Sequence, residues 1–149
     1  MRLREVAMSF TGLDVFDHTI QITNLWLKEL MEKLGTEDRH RAYLALRSVL
    51  HALRDRLTVD EAAHLGAQLP MLVRGLYYEG YHPAHKPLKE RSREEFLAHI
   101  VEQFRKDPDV DPEQIARAVF ALLSDKITKG EIQDVRHSLP SAIRELWPS

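Results

Sequence analysis

The chain has 149 residues, 44% of them hydrophobic and 30% charged, a balance that supports a folded core and argues against general disorder. Its 21 basic and 23 acidic residues leave a formal charge of −2, which excludes the global basicity of a nonspecific nucleic-acid or acidic-membrane binder. There is no cysteine, so disulfides, thiolate nucleophiles and cysteine-held zinc or iron–sulfur centres are excluded.

Residues 1–12 show no apolar period and read as an arm closed off by Thr11-Gly12. They carry no apolar core suited to a signal peptide, and no run in the chain approaches the ~20 apolar residues that span a bilayer. The expectation is a cytoplasmic protein with no membrane contact. From Leu13 to Leu34, Phe16, Ile20, Leu27, Leu30, Met31 and Leu34 recur at helical spacing, and Gly35 offers a stop. A second helix is expected from about Asp38 to Leu57, with Ala42, Leu46, Val49, Leu53 and Leu57 on a buried arc and His40, Arg47, His51 and Arg54 on the opposite polar face. Thr58-Val59-Asp60-Glu61 then reads as a capping box opening a third helix, which must kink or restart at Leu69-Pro70.

A 70-residue shift repeats this pattern without a gap. Arg47 falls on Arg117, Leu53 on Leu123, Asp55 on Asp125, Thr58 on Thr128, Glu61 on Glu131, Leu69-Pro70 on Leu139-Pro140 and Arg74 on Arg144. Tyr77 pairs with Trp147, and Asp111-Pro112 supplies an N-cap and first-turn proline for the copy of the second helix. The expected fold is all-α: six main helices as two pseudo-symmetric three-helix repeats in a compact bundle. Residues 13–77 form repeat 1, 78–93 a linker and 94–149 repeat 2.

The segments VFDHTIQITNLWLKELMEKLG, RAYLALRSVLHALRDRLTVDEAAHLGAQLPMLVRGLYYEGYHP and KERSREEFLAHIVEQF together resemble the Domain of Unknown Function 2267 family. The resemblance runs from Val15 to Trp147. It implies a small, soluble helical protein of bacterial type and brings no catalytic residue, substrate or cofactor with it.

Several side-chain groups compete as sites. Glu61 and His64 share a helix face at i, i+3 spacing, as in carboxylate-bridged metal bundles, and Glu131 and Asp134 stand at the matching positions. The plainer reading leaves both glutamates in capping boxes and His64 in solvent. His82 and His85 in the linker are a second candidate metal pair, with His99 as a third ligand, against the alternative of two solvated histidines. Arg47 and Arg117 survive the shift and suit either a shared anion site or arginine–carboxylate ties within each half, as do Arg74 and Arg144. Tyr78, Tyr81, His82, Lys86, Lys89 and Arg91 occur without a copy, and make the best surface for a protein or small-molecule partner.

A helix-turn-helix reading of LTVDEAAHLGAQLP fails, because the recognition helix would start Met71-Leu72-Val73, an apolar core face. The six glycines permit no phosphate loop, and Gly-x-Ser-x-Gly and His-Glu-x-x-His are absent. The sequence therefore points to a partner- or ligand-binding protein, compatible with a homo-oligomer, in a stress or regulatory role. No cofactor is expected, and the balance leans away from catalysis. A metal-binding protein or metal-dependent enzyme is the second reading, and a nucleic-acid-binding protein the third.

Overall fold

Punctuation residues set most helix ends. Gly35 stops the first helix in the left-handed conformation (φ 68°). Asp38 accepts from the N–H groups of His40 and Arg41 to start the second, and Asp111 does the same for Glu113 and Gln114 ahead of Pro112. A computed structural model describes residues 9–149, and the regular structure among them is all helical. Eight helices result: α1 Asp14–Leu34, α2 Arg39–Arg54, α3 Val59–Ala67, α4 Met71–Tyr78, α5 Arg93–Glu102, α6 Pro112–Lys126, α7 Lys129–His137 and α8 Ser141–Arg144. Most of the expected arm, residues 1–8, lies outside the described residues.

Among the described residues eight helices stand where six were expected, because the two prolines break their helices rather than bend them. At Pro70 the backbone is extended (φ −58°, ψ 154°), and at Pro140 nearly the same (φ −57°, ψ 149°). Each break is bridged by an arginine. Arg74 donates to Gly66 O and Leu69 O, both at 2.8 Å. Arg144 donates to Arg136 O at 3.0 Å and Leu139 O at 2.9 Å. These contacts satisfy carbonyls that a helix end leaves open. The carboxylate ties expected of Arg74 and Arg144 are thus replaced by carbonyl capping.

The core is built around α2 and α6. Ala42, Ala45, Leu46, Val49, Leu50 and Leu53 of α2 are fully buried, as are Ala116, Val119, Phe120, Leu122 and Leu123 of α6. Helix α2 packs on α1, α4, α5 and α6, and α6 packs on α1, α2, α5 and α7. Tyr77 and Trp147 are buried as their sequence pairing suggests; Trp147 stacks on Phe120 at 4.0 Å between ring centroids. A helix covered on so many sides keeps little solvent contact beyond its first turns, and this overturns the second half of the expected polar stripe: His40 is exposed and Arg47 half-buried, but His51 is 7% and Arg54 5% exposed.

Candidate functional site

The buried polar residues of α2 hold the linker. Arg54 Nη1 donates to Tyr77 O and Glu79 O, its Nε donates to Asp55, and its guanidinium lies over the Tyr81 ring. Arg56 donates to Ala52 O and to Glu90, with its head over Phe96. His51 Nε2–H donates to Leu76 O at 2.8 Å, leaving Nδ1 to accept from Gln103. Burial pushes the His51 imidazole below its usual range, because charging it in this site loses hydration. Leu88 N–H donates to Asp55 O at 2.8 Å, so a stretch rich in turn residues is tied down at both ends. Sequence pattern missed this role because His51 and Arg54 become Ala121 and Ser124 in the shifted copy.

The linker candidates divide by exposure. His82, His85, Lys89 and Arg91 are exposed and Lys86 is half-buried. Tyr81 is half-buried with its hydroxyl enclosed, and its ring lies 6.1 Å from Tyr78. Tyr78 lies over Gly66: a methyl added there would sit 2.5 Å from the phenol oxygen. Both tyrosines therefore spend much of their surface on the protein itself.

The metal candidates do not converge. His64 Nδ1 stands 3.9 Å from Glu61 with its side chain in solvent, while His99 bonds Glu90 at 2.9 Å. Among the described residues, no group of three His, Asp or Glu side chains is placed to hold a metal ion. Arg47 pairs with Glu79 at 3.0 Å, and Arg117 with Glu113 at 3.0 Å. The two arginines share no partner.

Neither expected capping box closes at Glu61 or Glu131. Thr58 Oγ1 accepts from Glu61 N–H at 3.1 Å and Thr128 Oγ1 from Glu131 N–H at 3.4 Å. The return bond is missing, and Thr128 N–H donates instead to Gln68 Oε1 at 3.3 Å. Freed from capping, Glu131 is only 8% exposed. A full box forms at Ser92 and Glu95.

An open groove of about 570 Å³ lies between α1, α2 and α4, a size within the range of small-molecule sites. Leu27, Leu46, Leu72, Val73 and Leu76 wall it, and Thr23, Asn24, Tyr43 and Glu79 give it polar points. Gly75 presents bare backbone, with nothing within 4 Å of where a Cβ would stand. Arginines brace the rim: Arg39 donates to Asn24 at 2.9 Å and Arg47 to Glu79 at 3.1 Å. The expected core face of α4 is corrected here, because Met71 and Leu72 are each 48% exposed. At the other end of the molecule, Arg93 binds Glu113 at 3.2 Å, Glu145 at 2.9 Å and Ala142 O at 3.1 Å, which links α5, α6 and the residue after α8.

The class defined by this geometry is an all-helical protein with an apolar groove. The chain belongs to the family described as "Uncharacterized conserved protein (DUF2267)", whose model matches residues 23–146. Comparison with curated proteins returns no match. Among the described residues no helix is long and apolar enough to cross a membrane.

Proposed function

We propose that this protein is a binding module whose α1–α2–α4 groove takes a small, largely apolar guest with a polar end. The proposal treats the stretches related by the 70-residue shift, 13–77 and 83–147, as two copies of one three-helix unit. The observation that carries it is the contrast between equivalent positions in the two copies. Thr23, Tyr43 and Gly75 line the groove. Seventy residues on stand Arg93, Glu113 and Glu145, which are tied together by ion pairs. At these positions one copy ties three charged side chains to one another; the other presents Thr23, Tyr43 and a mid-helix glycine to an open groove.

That glycine bears a stability cost of ~1 kcal/mol relative to alanine, and no packing neighbour requires it. Its retention in a helix facing a groove is understandable if the space is used. The walls are apolar enough to bind by burial, and Asn24, Tyr43 and Glu79 can orient a polar group.

The test uses N-phenyl-1-naphthylamine, a neutral apolar fluorophore, titrated against wild-type protein and Gly75→Leu. Leucine favours helix and occupies the groove. Saturable one-to-one enhancement in the wild type, weakened at least tenfold in Gly75→Leu, supports the reading. Equal enhancement in both proteins overturns it. A stricter variant grafts the closed arrangement as Thr23→Arg, Tyr43→Glu and Gly75→Glu together, and is expected to fold and to lose the probe.

A further inference from the structure

Thr58 and Thr128 cap α3 and α7, which places Glu61 and Glu131 three residues into their helices. These two helices pack on each other. Gln68 of the first half takes the Thr128 N–H that Glu131 would otherwise hold, and Glu131 is left in the seam. The Glu61 side chain is also largely covered, at 15% exposure. Each carboxylate has one buried oxygen, Glu61 Oε1 and Glu131 Oε2, with no donor among the described residues. Two such covered oxygens in one seam satisfy each other if a single proton sits between them, as in other close carboxylate pairs.

We propose that Glu61 and Glu131 form a proton-operated clasp between α3 and α7, closed when they share one proton and strained when both are ionised. In the closed state one carboxyl O–H donates to the other carboxylate. Loss of that proton to solvent leaves two like charges in low dielectric, and the seam loosens to admit water.

The groups that face the pair leave it uncompensated. On α7 itself Asp134 adds negative charge, and on α3 the partly solvated His64 stands 3.9 Å from Glu61. From α4 the Tyr77 phenol is close by, but it donates to Ala62 O, and burial pushes it well above its ordinary range. Arg74 of α4 is spent on the carbonyls at the far end of α3. On α6, Asp125 and Lys126 turn to Lys33 and Glu29 of α1. Burial first, then the hydrogen bond and charge of Glu61, then Asp134, push Glu131 up to about 7.

The sign follows. The folded-state value lies above the ordinary 4.5, so the native state holds more protons than the unfolded chain between about 4.5 and 7. The clasp therefore strengthens as pH falls through 7 and is released as pH rises. His51 works against it, since its depressed value costs stability as pH drops below about 6.5. Comparing a Glu131 variant with the wild type cancels that common term.

Glu131→Gln supplies a permanent neutral donor. Amide hydrogen exchange is followed in α3 and α7 from about pH 6 to 8, corrected for intrinsic rates, alongside melting temperature, with His64→Ala as control. The expected result is that wild-type α3 and α7 exchange faster relative to Glu131→Gln by up to about tenfold per pH unit above 7. The variant also melts higher at alkaline pH, with its advantage shrinking toward pH 5. His64→Ala keeps the wild-type slope. A wild-type-to-variant ratio that does not change with pH, or a slope abolished by His64→Ala, overturns the proposal. Should Glu131→Gln not fold, Glu61→Gln reads the same ratio from the other side of the seam.

Discussion

At the head of α3, Thr58 Oγ1 accepts one N–H that would otherwise face solvent alone, so Thr58→Ala is expected to lower stability by ~1 kcal/mol in urea denaturation. Arg54 carries far more. Removing its guanidinium leaves Tyr77 O and Glu79 O without their donor and Asp55 without its cation. Arg54→Met is expected to cost ~2–4 kcal/mol, whereas Arg47→Met, at a more open ion pair, should cost ~0–1 kcal/mol. Similar losses from the two would show that the buried anchor has no special weight. For His51, burial holds the ring neutral, so acidification below about 6.5 charges it preferentially in the unfolded chain. His51→Gln keeps a donor for Leu76 O and should flatten the fall in melting temperature between about pH 6.5 and 5.

Among the elements, α4 has the least ordinary composition for its length. Its eight residues include Gly75 at the groove and two apolar residues, Met71 and Leu72, left half in solvent. Gly75→Ala meets no neighbouring atom and should raise stability by up to ~1 kcal/mol, while lowering probe affinity in the groove. A gain in melting temperature with unchanged probe binding would detach the glycine from any guest. A disturbance ahead of α4 was legible in Leu69-Pro70, because proline acts on its own turn, but whether it bends or breaks the helix was not. The groove was not, because it is bounded by three helices that meet only on folding. Its trace in the sequence is a set of mismatches under the 70-residue shift: Thr23, Tyr43 and Gly75 fall on Arg93, Glu113 and Glu145.

For the whole molecule, the same contrast separates the two halves. The large hydrophobic side chains that are exposed among the described residues all lie between Phe10 and Tyr78, whereas Arg93, Glu113 and Glu145 are tied to one another by ion pairs. The stretch between α4 and α5 is held by Arg54 at the end of α2 and by Asp55 O and Arg56 just after it, not left as a tether, while α1 and α2 pack directly on α6 and α3 packs on α7.

Period, caps and proline breaks are local properties, settled within a turn or two of backbone, and the sequence by itself determined them. The helices start at Asp38, Thr58, Asp111 and Thr128 and stop where Gly35, Pro70 and Pro140 require. Only the tertiary structure decided which polar residues leave water. His51 and Arg54 sit on a helix face that period alone assigns to solvent, and they are buried because the linker and α5 cover that face. Glu131 carries a capping-box signature, yet Gln68, 60 residues from Thr128, takes the Thr128 N–H, and the glutamate is buried instead. Burial is a property of what packs against a residue, and that partner is distant in the chain.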